Sequence, residues 1–272
     1  MNQSVSPFVN YWEITMIRKT LLAVALAAAA AVPAMANAQA AAAPASPHTL
    51  TGNLAIVSDY RFRGISQTFV QPAIQGGIDY SHASGFYLGN WNSNVSGQSY
   101  YDGTIEMDVY GGFKKAFGDF TVDVGLLQYY YPGAEASGTT YDTLEAYLAG
   151  SWKWLTLKYS TTLTDWFGVK TPTTDSKGSG YLDFAISYEI RPKLTLVGHI
   201  GQQSVKNFGN LDYMDYKIGA TYDLNGWVLG AAYIDTDADD PFYSSATSTA
   251  PGSTKVKDLG KGAVVLSVGK SF

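Results

Sequence analysis

Three short patterns in this sequence place reactive side chains at spacings that could do chemistry. His82-Ala83-Ser84 sets an imidazole and a hydroxyl two residues apart, which on an extended chain puts a base and a nucleophile on one face. Against ester hydrolysis there, alternation puts His82 on an apolar side, Ser84 falls in a Ser84-Gly85 turn, and no Asn or Asp is evident to orient the imidazole. His199 is the one histidine on a polar face; with Thr195, Val197 and Gln203 as same-face neighbours it reads as a lining residue, not the base of an Asp–His protease. Asp235, Asp237, Asp239 and Asp240 match the D-x-D-x-D start of a calcium loop. Its sixth position is Asp240 instead of Gly and its twelfth is Ala246 instead of Glu, which excludes an EF-hand. A solvated acidic loop is the expectation, with at most a weak divalent-cation contact shared with lipopolysaccharide phosphates. With 0 Cys there are no disulfides or thiolate ligands, and no catalytic residue, resident metal or cofactor is expected.

More informative is a set of charged side chains that recur on one side of alternating segments: Asp59, Arg61, Arg63, Asp79, Glu106, Asp108, Asp123, Glu145, Lys158, Asp183, Glu189, His199, Asp215 and Lys217. Each faces away from an apolar row. Leu54, Ile56, Tyr60 and Phe62 oppose Asp59, Arg61 and Arg63, and Ile105, Met107, Val109 and Phe113 oppose Glu106 and Asp108. Phe120, Val122, Val124 and Leu126 oppose Asp123, Leu182, Phe184 and Ile186 oppose Asp183, and Tyr216, Ile218 and Ala220 oppose Asp215 and Lys217. Period-2 alternation of this kind runs from Leu50 to the end in segments of about ten residues, which predicts about twelve strands.

The links between segments alternate in length. Ser84-Gly85, Phe117–Asp119, Lys153-Trp154, Arg191–Lys193 and Leu224–Gly226 are tight, whereas Gly64–Gln71, Ser96–Gly103, Pro132–Thr140, Gly168–Ser179, Ser204–Asn210 and Thr236–Gly260 are long and polar. This rhythm predicts an all-β, transmembrane antiparallel β-barrel with tight periplasmic turns, long extracellular loops and both termini periplasmic. Apolar-face aromatics fall beside the tight turns (Tyr80, Phe113, Phe120, Trp152, Tyr188, Tyr222, Trp227 and Phe272), with Phe62, Tyr130 and Tyr233 at the other rim, as two interfacial girdles. The composition agrees: 28 Gly, 20 Tyr and only 15% charged residues.

The ends carry targeting signals. Met16-Ile17-Arg18-Lys19, the apolar stretch 21–32 and the A-x-A patterns at Ala34–Ala36 and Ala36–Ala38 read as a signal peptide over 16–38. Residues 1–15 lie upstream of it and fit a start-site artefact, 39–49 a short periplasmic leader, and 50–272 the barrel. Removing Glu13, Arg18 and Lys19 leaves the rest one unit more acidic than the net charge of -5, with no basic stripe for nucleic acid. The last ten residues, AVVLSVGKSF, alternate and stop on Phe272, the expected sorting signal for the barrel-insertion machinery.

Five segments together carry a family resemblance: SDYRFRGISQ at 58–67, QGGIDYSHASGFYLGNW at 75–91, TIEMDVYGG at 104–112, VDVGLLQYYYPG at 122–133 and the ending VGKSF. The chain resembles the TorF-type family of porin-like proteobacterial outer-membrane proteins. The resemblance covers the mature chain and implies an outer-membrane barrel and a pore, with no catalytic residues and no defined substrate.

If the apolar face meets lipid, the charged set lines the lumen, and carboxylates outnumber bases there. The leading expectation is a mildly cation-preferring channel for ions or small hydrophilic solutes. The alternative is a filled structural or surface-interaction barrel, and a hydrolase is third. Arg61 beside Asp59 would form a screened constriction at mid-wall, or Arg61 and Arg63 would hold an extracellular loop folded inward. No long inward loop stands out otherwise, which favours a monomer in contact with outer-membrane lipids.

Overall fold

The computed structural model describes residues 46–100, 103–136, 138–239, 241–246 and 256–272. The segment 16–38 expected to be a signal peptide, and most of the expected leader at 39–49, lie outside the described residues. The wall consists of twelve strands: β1 His48–Val57, β2 Ala73–His82, β3 Phe86–Asn94, β4 Ile105–Phe117, β5 Phe120–Tyr130, β6 Thr143–Trp152, β7 Leu155–Thr162, β8 Gly180–Arg191, β9 Leu194–Ser204, β10 Tyr213–Leu224, β11 Trp227–Thr236 and β12 Ala263–Ser271. Each pairs antiparallel with its sequence neighbours, and β12 returns to β1, closing the barrel. Closure leaves no sheet edge to satisfy, the condition a strand structure must meet in hydrocarbon. The tight turns are true hairpins; Asn225 and Gly226, at φ of 54° and 88°, match the twist of the strands they join. Both barrel ends of the chain lie at the tight-turn rim, where Phe272 exchanges two backbone hydrogen bonds with Gly52 (2.8 and 2.9 Å).

Alternation governs the two surfaces. Leu54, Ile56, Ile74, Ile78, Leu88, Val109, Val124, Leu148, Leu157, Leu182, Ile218 and Leu266 are exposed on the outside, forming an apolar belt suited to lipid. At the tight-turn rim Tyr80, Phe120, Trp152, Tyr188, Tyr222 and Trp227 are exposed as a girdle, and Phe113 is half-buried edge-on to Phe86. Tyr130 and Tyr233 stand at the opposite rim.

Inside, large residues are laid down on small ones. Tyr110 lies across Gly89, Tyr87 across Gly112, Tyr147 across Gly125 and Tyr181 across Gly201, in each case where a Cβ would collide with the ring or its hydroxyl. At Gly112 an added Cβ would also run into the Val124 carbonyl, which cannot rotate away. Gly112→Ala is therefore expected to destabilise the barrel by about 1–3 kcal/mol, read from urea unfolding in lipid vesicles.

The structure corrects the sequence at one place. β1 leaves the wall after Val57, so Tyr60 and Phe62 do not face lipid: they are 2% and 8% exposed and sit in the interior. Phe62 is thus no part of the outer girdle. The segment 58–72, here loop 1, folds inward around a small hairpin of Arg61–Phe62 against Ile65–Ser66. An inward loop is present after all. Period-2 alternation resumes after Ser58 and continues through 59–63, so a single polar residue in the apolar row is all that separates wall from plug in the pattern.

Candidate functional site

Loop 1 fills the lumen toward the long-loop rim, and nearly every residue of its SDYRFRGISQ motif has a fixed task. Asp59 organises the hairpin: its carboxylate accepts from Arg61 Nε at 2.6 Å, Ser66 Oγ at 2.6 Å and Thr68 Oγ1 at 3.2 Å. Arg61 also donates to the carbonyls of Gly64, Leu259 and Lys261, tying the hairpin to the last long loop. The anticipated Asp59–Arg61 pair is real, but it belongs to the loop and lies by the long-loop rim instead of mid-wall. Gln67 accepts from Tyr100 Oη of the second long loop, and Tyr60 donates to Glu106 Oε1 of β4 at 3.1 Å. Burial, with Glu106 and Asp108 adding to it, pushes the Tyr60 hydroxyl well above its usual range, so it remains a neutral donor. Tyr60, Phe62, Trp91, Tyr100, Tyr129 and Tyr131 pack into one cluster across the bore.

Arg63 crosses to the far wall. Its Nη2 donates to both carboxylate oxygens of Glu145 on β6 (2.9 and 2.8 Å) and its Nη1 to Gln203 Oε1 on β9 (2.8 Å). The guanidinium lies 4.2 Å from the Tyr181 ring on β8 and 4.7 Å from Phe62. Burial alone would lower the Arg63 pKa, but Glu145, with Tyr129, Tyr181 and Tyr213, outweighs it and leaves it raised. The Arg63–Glu145 pair is almost dry, with side chains 7% and 2% exposed. Arg63 and Gly64 both have positive φ, 46° and 82°, a strained conformation for the arginine.

The remaining expected lining residues divide by depth. Glu106, Asp108, Glu145, Asp183 and Asp215 are buried beneath loop 1 and the rings around it. Asp79, Asp123, Lys158, His199 and Lys217 lie nearer the tight-turn end and are half-buried. Asp123 accepts from Tyr87 at 2.6 Å and pairs with Lys114 at 3.5 Å, Asp79 accepts from Tyr110 at 2.5 Å, and Lys158 sits 4.3 Å over the Tyr147 ring. Glu189 is exposed beside its turn and accepts the Lys193 N–H.

Sequence reasoning missed Lys114, Tyr87, Tyr181 and Gln203 as a ligand; the alternation past Phe113 does place Lys114 on the polar face, and Tyr110, Tyr129 and Tyr147 fall on that face as well. It also missed the setting of His199, whose Nε2 lies 2.6 Å from Asp215 and whose Nδ1 lies 3.4 Å from Asp183. Those acids come from neighbouring strands, which same-strand spacing cannot reveal. The ring thus faces a carboxylate on either side, although the close approach of Nε2 to Asp215 is not aligned as a hydrogen bond.

His82 does meet Ser84, at 2.6 Å, but through Nδ1, which also accepts the Ser84 backbone N–H at 3.2 Å. Among the described residues no carboxylate contacts that imidazole, so the pair is a local turn contact. Asp235 accepts from Tyr233 and Asp237 from the Met214 N–H, while Asp240 lies outside the described residues. Among the described residues no group of three or more His, Asp or Glu side chains could hold a metal ion.

Comparison with solved structures finds other barrels. A KdgM porin is 10% identical, with 82% of this chain and 98% of that chain covered and a TM-score of 0.49. The KdgM porin in complex with disordered oligogalacturonate is 11% identical with 82% and 98% covered and a TM-score of 0.48, and a NanC porin is 13% identical with 82% and 99% covered and a TM-score of 0.48. Similarity at this level says nothing of what this barrel carries. No curated protein matches the sequence. Residues 41–272, the whole barrel included, match the model of a family described as bacterial protein of unknown function, and the chain belongs to that family, Gcw_chp.

Proposed function

We propose that this protein is a porin-type channel of the bacterial outer membrane that passes small hydrophilic solutes, prefers cations, and is closed at rest by loop 1. The observation that carries the reading is how the lower lumen is built. Tyr87, Tyr110, Tyr147 and Tyr181 lie against wall glycines, which keeps those rings toward the wall, and Asp79, Asp123, Lys158, His199 and Lys217 around them are only half-buried. Loop 1 is held by buried rings and also by an ion pair and hydrogen bonds, and the polar contacts can be exchanged for water. Carboxylates predominate on the wall behind it, and in an aqueous path they favour cations. The resemblance to TorF-type porins points the same way.

The signal peptide at 16–38, Phe272 as the sorting residue, periplasmic termini, lipopolysaccharide at the loop rim and a monomeric barrel complete this reading. The full burial of Glu106, Gln203 and Asp215 favours a second one, a permanently plugged barrel acting through its loops. Recording the refolded protein in a planar bilayer under a salt gradient decides between them. Brief discrete openings with a cation-selective reversal potential are expected. Complete silence, both from this protein and from a folded barrel lacking loop 1, would sink the channel.

A further inference from the structure

The pocket that holds the Arg63 guanidinium is made almost entirely by the wall. Glu145 comes from β6, Tyr181 from β8 and Gln203 from β9, three strands on the side of the barrel opposite the loop that delivers the arginine. A buried carboxylate, an amide oxygen and an aromatic face arranged around one planar cation form a recognition site in their own right. Loop 1 enters it in a strained backbone conformation, a local cost that the pocket's pull on the cation offsets. Were the loop to leave, Glu145 would face the lumen without its counter-ion.

We propose that this pocket is the channel's solute-recognition site, that it takes a small solute bearing a guanidinium group, and that Arg63 occupies it as a tethered stand-in. The proposal rests on the channel reading above and names its substrate class. The geometry selects guanidinium over ammonium. Two different nitrogens of one plane reach Glu145 and Gln203 while the plane lies against Tyr181, a fork that a compact ammonium cannot reproduce. A solute with the same group competes with Arg63, and by taking its place favours the state with the loop withdrawn.

The test uses the full-length Arg63→Ala barrel in detergent, with ethylguanidinium as the probe and ethylammonium as its control. Ethylguanidinium restores the missing part of the side chain. It is expected to bind saturably by calorimetry, with ethylammonium weaker by about tenfold or more, and Glu145→Gln in the same background is expected to abolish binding. If Arg63→Ala does not fold, Arg63→Met keeps the stem of the side chain and serves instead. A folded, heat-modifiable variant that takes up no ethylguanidinium, or that binds it equally with Gln at position 145, overturns the proposal. Binding is read without reference to current. A silent barrel that binds the probe therefore counts against the channel alone, and a conducting barrel that ignores it counts against the site alone.

Discussion

Replacing loop 1 by a short Gly-Ser hairpin is expected to turn a mostly silent barrel into a steadily open pore. The change is topologically mild. Val57 and Ala73 are cross-strand partners, so the chain returns from its excursion to the position it left, and a tight turn can join β1 to β2 without altering register. What departs is the hairpin and the rings it inserts, Tyr60, Phe62 and Phe69, each worth roughly 1.5–3 kcal/mol of burial. The wall hydrogen bonds remain, so the variant should still run as a folded, heat-modifiable barrel of lower melting temperature. Twelve tilted strands enclose a backbone diameter of roughly 25 Å, and at the level of loop 1 a packed cluster of rings occupies the bore. Continuous single-channel current, at least about tenfold above the time-averaged current of the unaltered protein, is the expected readout. Unchanged current from a folded variant would mean that the other long loops close the barrel without help from the first.

Arg63→Ala should open the same route with the loop still present. Removing the arginine leaves Glu145 buried and uncompensated against the aromatic cluster, a situation that costs about 3–5 kcal/mol in buried ion pairs of this dryness. At about 1.4 kcal/mol per factor of ten, the open-to-closed ratio rises by two to three orders of magnitude if the whole penalty falls on the closed state. Glu145→Gln removes the other charge and should act in the same direction. The double variant should fall well short of the sum of the two, because each single change destroys the same pair. Open probability in bilayers measures all three, and additive effects would show that Arg63 and Glu145 do not act as a latch.

Much of this architecture is legible in the residues. Rows such as Leu182, Phe184 and Ile186 against Asp183 specify a strand with one lipid face and one inner face, and the alternation of short and long links fixes the order and direction of pairing. The plug is not legible in that way. The apolar row Leu54, Ile56, Tyr60 and Phe62 is interrupted by Ser58, just past the end of the wall at Val57. One polar residue also fits a continuing strand, because two-residue periodicity reports an extended backbone and not what the backbone leans against. The available hint was chemical: Asp59, Arg61 and Arg63 crowd one short segment just before Gly64, more charge than a strand end needs. The bracketing of His199 by Asp183 and Asp215 depends on register between neighbouring strands, and the meeting of Arg63 with Glu145 and Gln203 on contacts between segments far apart in sequence. No single-strand pattern carries that information.

The tyrosines laid over glycines have a consequence for how the calibre of this barrel can change over evolution or by engineering. A ring that rests on bare backbone has its height set by the main chain beneath it. At Gly89, Gly125 and Gly201 a single methyl group would lift a tyrosine toward the axis, whereas trimming the tyrosine would uncover a floor already at the wall. The gauge of the passage is thus governed from underneath, by positions that no travelling molecule touches. Narrowing it calls for editing a glycine, and a search confined to residues in contact with the cargo would miss the adjusting screw.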